Sequence, residues 1–242
     1  MYKLQLQMYL QTDFHWEGER RMKHIVIDLE MNPVHLKAEI RNICTTETIE
    51  IGAVMLDDDL HEIDSFRTYI KPEYNDAIVP KISSLTGITN EMVANAPTYK
   101  EAFRMFTDWC MGKNDEVTIY AWSDTDYNQI IKEIALKKYE LTEAEHSIVD
   151  SKWTDFQKEF DSHLGFERQV SLSLALEMAG IDFAGKEHDA LDDARNTAEL
   201  LKIFKDENLF NKTLRKIEEA MKPTSLGNTL GSMFDFSGLH FS

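Results

Sequence analysis

Three stretches of the sequence place carboxylates where chemistry could use them. Asp28 and Glu30 stand two residues apart at the end of the apolar run Ile25-Val26-Ile27. On a strand they point to one face, about 7 Å apart. Asp124 and Asp126 follow a second apolar run, residues 117–122. Either could join the first pair, and either could instead cap the helix that follows. His188 precedes Asp193 by five residues in His188-Asp189-Ala190-Leu191-Asp192-Asp193. Leu191, Ala194, Ala198 and Leu201 recur at helical spacing, so Asp193 lies beside a buried face, where an unpaired carboxylate is costly. Asp189, Asp192 and Asp193 also suit the first turns of a helix on dipole grounds alone. Four carboxylates brought together repel one another unless cations sit among them. Hard divalent ions with oxygen ligands, Mg²⁺ or Mn²⁺, meet that need, and two of them about 4 Å apart can hold the attacking and leaving oxygens of a phosphodiester. His188, on a loop fed by Gly185 and Lys186, is free to swing and take a proton from the attacking water.

The elements that must position these groups follow from the pattern. Residues 24–30 read as a central strand covered on both faces. Residues 31–48 are polar and mixed and predict a loop with a short helix near 36–40. Residues 48–56 and 62–70 read as two more strands joined at Asp57-Asp58-Asp59. Thr98 caps a helix to about Met111, with Ala102, Phe103, Phe106 and Trp109-Cys110 as its stripe. A fourth strand over 117–122 leads into a helix over 127–138. Residues 147–150 predict a short fifth strand, and 153–160 and 171–179 predict helices, the second closed by Gly180. A helix from near Asp189 to Lys205 precedes another over 212–221. The whole is α/β, a mixed sheet flanked by helices in one domain. Residues 1–21 read either as sequence upstream of a natural start at Met22, for a bacterial source, or as a short amphipathic lead-in packed on the domain. The domain proper spans 22–210, followed by a C-terminal helix at 211–222. The Gly/Ser-rich tail at 223–242 cannot bury enough to fold alone.

The chain has 242 residues, 43% of them hydrophobic, with 10 glycines and 5 prolines. That supports a sizeable core and argues against a mostly disordered chain. Cys44 and Cys110 stand at no metal-ligand spacing and offer no disulfide framework, which suits a reducing, cytoplasmic setting. The N-terminus lacks the pattern of a signal peptide. A net charge of −17 excludes a broad basic face. A nucleic-acid substrate would be met through short contacts around a metal-centred site.

The order Asp28-x-Glu30, Asp126, His188-x4-Asp193 resembles the DEDDh family of 3′–5′ exonucleases, the DnaQ-like group that includes RNase T and oligoribonuclease, over residues 23–205. Glu50-Ile51-Gly52-Ala53 resembles the family's second strand. Residues 66–72 and Leu85-Thr86-Gly87-Ile88-Thr89 resemble its signature loop, in the form found in the branch with the animal histone-mRNA 3′-end exonuclease and bacterial KapD-type proteins. The resemblance implies an RNase H-like fold, two divalent ions, and stepwise release of nucleoside monophosphates from a single-stranded 3′ end, RNA ahead of DNA. It implies Asp28, Glu30, Asp126 and Asp193 as metal ligands, with Asp126 chosen over Asp124, and His188 as general base. It sets Leu29 and Met31 beside the terminal nucleotide and Leu85 near the last base, although Leu85 would serve equally well in a core. Ile130 and Ile131 fall where the family has apolar helix residues. The chain departs from the animal members in lacking an added RNA-binding domain, in its negative charge, and in residues 31–48, which read as a variable insertion beside the site. Two other readings stand beside this one. The acidity fits an enzyme for very short oligonucleotides. Phe234, Phe236 and Phe241 of the tail fit a regulatory or scaffolding protein that docks a partner there, but nothing structural would then require all five catalytic groups.

Overall fold

Side chains alternate along the first strand, and each alternation finds a different core. In the computed structural model, which describes residues 22–34, 38–111 and 116–221, β1 (Met22–Pro33) runs through the middle of a five-stranded sheet. Helix α1 (Ala38–Arg41) leads to the antiparallel pair β2 (Thr46–Leu56) and β3 (Glu62–Tyr69). Short helices α2 (Pro80–Thr86) and α3 (Asn90–Val93) lead to α4 (Tyr99–Cys110), β4 (Glu116–Ala121) and α5 (Thr125–Lys137). Then come α6 (Glu143–Val149), β5 (Lys152–Asp155), α7 (Phe156–Leu164), α8 (Leu172–Ala179), α9 (Ala190–Lys205), α10 (Glu207–Thr213) and α11 (Arg215–Met221). The strand order is β3-β2-β1-β4-β5, with β4 parallel to β1 and β5 parallel to β4. This is the mixed, helix-flanked α/β sheet that the sequence predicts.

Ile25, Ile27 and Leu29 face a core completed by Phe103 and Phe106 of α4 and Ile130 of α5. Val26 faces a second core with Phe156 and Phe160 of α7 and Leu200 and Leu201 of α9. Asp28 and Glu30 have the parity of Val26, so on the α9 side an apolar strand face turns acidic within two residues.

Four local expectations are corrected. Strand β1 continues through Asn32 and Pro33, which pair with Glu47 and Thr46 after a register shift at Glu30/Met31. Pro33 ends the strand and needs no donor there, so the Asn-Pro pair does not break it earlier. Buried Asn32 then clamps the next loop: its Nδ2 donates to Ala77 O at 3.2 Å and its Oδ1 accepts from Val79 N at 2.9 Å. Residues 147–150 are not a strand. Thr142 and Glu145 form a capping box, and the helix it starts carries Ile148 and Val149 into the first core. Residues 153–155 are in β5 rather than in a helix, and α7 begins after Asp155, whose side chain caps it by accepting from Lys158 N. The C-terminal helix is two helices, α10 and α11. Phe210 of α10 and Leu214 between the two helices join the second core. The lead-in at 1–21 and the tail at 223–242, with its phenylalanines, lie outside the described residues.

Candidate active site

The parallel pairing of β1 with β4 ends at Ile27 and Ala121, one residue before Asp28. Beyond that point β1 runs on alone on its β4 side, which opens a crevice at the carboxyl end of two parallel strands. The Leu29 amide there donates to Asp126 Oδ1 at 3.1 Å. That bond turns the first turn of α5 toward β1 and holds Asp126, only 5% exposed, behind the acidic pair. The same helical face continues as a polar stripe. Gln129 pairs with Thr46 on β2 through its Oε1 and Nε2, and Glu133 accepts from the Thr48 amide and hydroxyl. Lys137 lies among Glu47, Glu73 and Glu133. Asp124 precedes α5, exposed at the rim of the groove, and makes no capping bond.

Helix α9 brings the remaining groups. A Cβ on Gly52 would stand 2.2 Å from the Ala190 carbonyl carbon and from the Leu191 nitrogen, so a side chain there would push the helix off the sheet. Gly52 pairs with Asp28, and the start of α9 therefore rests directly beside the acidic pair. Asp189 caps the helix by accepting from Asp192 N. The loop before it is fastened, not free to swing. Ala184 exchanges two hydrogen bonds with the Asn196 side chain, Lys186 N donates to Asp192 Oδ2, and His188 N donates to Asp193 Oδ2 at 2.9 Å. That last bond holds His188 at a φ of +62°, a region that non-glycine residues enter rarely. The imidazole itself remains exposed. Glu30, His188 and Asp193 each bring a possible ligand atom within 4.8 Å of the others.

The electrostatics agree with a site that takes cations. Burial, then the charges of Asp126, Asp193 and Glu30, push the Asp28 carboxyl well above the usual carboxylate range. Burial and the charge of Asp193 push Glu30 up to about 8. Burial pushes Asp126 and Asp193 up to about 7, each against a hydrogen bond from a backbone amide. The groove that Asp28, His188 and Asp193 line encloses about 540 Å³, and no lysine or arginine is among its described lining residues. Among the described residues no lysine or arginine pairs with Asp28, Glu30, Asp126 or Asp193, and four such oxygen donors are a set for hard divalent ions, so the residues fit the expected group.

The predicted substrate contacts separate. Leu29 is 6% exposed and belongs to the α4–α5 core, because it has the opposite parity to Asp28 and Glu30; its contribution near the site is its amide. Met31 is half-buried against the same core. Leu85 is 43% exposed on α2 and is no core leucine. Ile130 is buried, whereas Ile131 is 37% exposed. Sequence reasoning missed Arg67, whose Nε lies 2.6 Å from buried Glu50 and whose Nη2 donates to Asp189.

Residues 25–201 match the RNase T exonuclease family. Human 3′-5′ exoribonuclease 1 is 31% identical over 157 residues, covering 64% of this chain and 45% of that protein. Mouse ERI1 exoribonuclease 2 is 28% identical over 210 residues, covering 77% of this chain and 30% of that protein. The chain thus spans less than half the length of these curated relatives. The nuclease domain of 3′hExo, a DEDDh family member bound to rAMP, superposes with a TM-score of 0.64 at 24% identity, covering 74% of this chain and 90% of that one. E. coli exonuclease I in complex with a dT13 oligonucleotide superposes with a TM-score of 0.61 at 15% identity, covering 79% and 43%. Both likenesses are in the fold, the RNase H-like arrangement of a mixed sheet between helices.

Proposed function

The chain belongs to the RNase T exonuclease family, and from that premise we propose that it is a metal-dependent 3′–5′ exonuclease that releases nucleoside 5′-monophosphates from single-stranded RNA, with DNA as a second substrate. The observation that carries the proposal is the convergence of Glu30, His188 and Asp193 within 4.8 Å, beside Asp28 on the same strand face and Asp126 bound to the Leu29 amide. Asp28, Glu30, Asp126 and Asp193 would hold two divalent ions, Mg²⁺ or Mn²⁺. Such ions, when bound, neutralise a phosphodiester and make a water acidic enough to attack near neutral pH. The chain's own part is to orient and to move a proton. The helix start seated on Gly52 holds Asp193 against β1, and the fastened loop presents His188 to accept the proton of the attacking water. Leu85, exposed on α2, and Met31 are the contacts proposed for the terminal bases. The names of the relatives favour RNA, since the human protein is a 3′-5′ exoribonuclease.

One observation favours short substrates as a second reading. The described lining of the groove carries Asp124 and Glu187 besides the catalytic carboxylates and no lysine or arginine, so a long strand would find few phosphate contacts there.

The test uses 5′-labelled single-stranded RNA and DNA of one sequence, and dinucleotides, with Mg²⁺ or Mn²⁺. The expected result is a ladder shortening from the 3′ end, with 5′-monophosphates as products, abolished by EDTA and by His188→Ala or Asp193→Ala. Cleavage of dinucleotides alone would support the short-substrate reading. No cleavage of any of them would overturn both.

A further inference from the structure

The loop that carries His188 is also fastened from the far edge of the sheet. Arg67 on β3 pairs with Gly52, the residue on which the first turn of α9 sits. That absence of a side chain lets the guanidinium reach the helix start. Its Nη2 donates to Asp189 Oδ2 at 2.5 Å and to the Tyr69 hydroxyl at 3.0 Å. Its Nε lies 2.6 Å from Glu50 Oε1, and it stands 5.3 Å from the Tyr69 ring centre. Glu50 is fully buried and pairs with Glu30 across β1 and β2. Arg67 and the backbone amide of Ala190 are the groups that stabilise the buried Glu50 carboxylate, against the burial that raises it. One cation thus spans a buried carboxylate beside Glu30 and the capping residue that follows His188. Ties from Asn196 to Ala184, from Asp192 to Lys186 N, from Asp193 to His188 N and from Ser173 to Glu187 hold the loop to α9 and α8 and fix its shape. Its seat on the sheet comes from Ala190 packed on Gly52, from the Ala190 amide beside Glu50 and from Arg67.

We propose that Arg67 is a positioning residue, and that the Glu50–Arg67–Asp189 bridge holds the His188 loop and the start of α9 down on β1 and β2, so that His188 and Asp193 meet Glu30. A planar fork that reaches two carboxylates at once suits arginine and not lysine. Arg67 is 36% exposed, so its pair with Asp189 adds little to overall stability, whereas removing it from buried Glu50 leaves a carboxylate without its cation and lowers stability as well. The kinetic consequence rests on the exonuclease reading above, but the structural one does not.

The experiment measures amide hydrogen exchange of the metal-free full chain and, separately, exonuclease kinetics, for Arg67→Gln, Arg67→Lys, Asp189→Asn and the double variant Arg67→Gln/Asp189→Asn. In Arg67→Gln, amides 186–190 are expected to exchange about tenfold faster, beyond whatever change the core amides of β1 and β4 show from the loss of global stability. The kcat falls about tenfold while KM stays within about twofold. Arg67→Lys recovers only part of this, and the double variant is no worse than the more impaired single one, because both remove the same bridge. Exchange at 186–190 in Arg67→Gln that rises no more than that of the core amides overturns the proposal. So does an unchanged kcat in an otherwise active enzyme. If the unmodified chain cleaves nothing, the exonuclease reading fails, and the exchange rates alone decide whether the bridge holds the loop.

Discussion

Gly52 and Asp28 face each other across the β1–β2 ladder, and the first supplies room where the second supplies charge. The backbone of Ala190 and Leu191 occupies the volume a side chain at position 52 would need. Gly52→Ala is therefore expected to lift the start of α9, with a cost of about 1–3 kcal/mol or more from overpacking against rigid backbone. Exonuclease activity should drop further than stability, because Asp193 and His188 move with the helix. Circular dichroism melts and single-turnover rates check both.

The raised carboxyls set an unusual dependence of stability on pH. Glu30, Glu50, Asp126 and Asp193 titrate at about 7 to 8 in the folded chain, above their ordinary values near 4. A group raised in this way binds protons more tightly folded than unfolded, so its contribution is complete below the unfolded value and is lost as pH rises through the folded one. Metal-free protein should therefore melt lower at pH 8 than at pH 5.5, by about 4 °C or more. Saturating Mn²⁺ should remove most of that difference, since it binds the ionised forms. Scanning calorimetry at the two pH values, with and without the ion, is the measurement. A melting temperature that rises from pH 5.5 to pH 8 in metal-free protein would refute the expectation.

Two aspartates two residues apart have different duties. Asp126 is buried and bound to the Leu29 amide, whereas Asp124 is exposed at the groove rim. Asp126→Asn keeps an oxygen for that amide and removes the charge. It should fold normally and lose on the order of 100-fold or more in kcat. Asp124→Asn should stay within about threefold of the parent, as surface changes usually do. Parallel rates on one labelled oligonucleotide separate the two.

Leu85 projects from α2 with no core to fill. If it meets the terminal bases, Leu85→Ala removes apolar contact worth about 1 kcal/mol, raising KM about fivefold with kcat and melting temperature nearly unchanged. A fall in melting temperature with KM unchanged would instead make it a packing residue.

The parts of this site that a reader of the sequence can see are those with a short local signature. Asp28 and Glu30 end an apolar run, and Asp193 sits five residues after His188 on a helix with a regular apolar stripe. What is hidden depends on pairing. Counting outward from the 57–60 turn, Leu56 opposite Glu62 would pair Gly52 with Phe66 and send Arg67 to the other face. The register shift between Met55 and Leu56 pairs Gly52 with Arg67 instead, and a shift of one residue exchanges the faces of a strand. The 142–155 region misleads for another reason. Ser147-Ile148-Val149 has strand character, but the capping box at Thr142 and Glu145 starts a helix through it. The restraint of the His188 loop arises from side chains as distant as Arg67, which no local pattern records.

The stripe along α5 has a consequence for how this chain can change. Asp126, Gln129 and Glu133 make hydrogen bonds to Leu29, Thr46 and Thr48, and Lys137 forms an ion pair with Glu47, so the helix is seated by specific polar contacts on two neighbouring strands. An oily stripe could slip by a residue and repack. These contacts admit one seating. A single residue inserted within α5 after Asp126 would rotate everything beyond it by about 100°, and no shift along the axis would restore all four pairings. Length variation in descendants of this chain should accumulate in its loops and spare α5, whose length is set like the cut of a key.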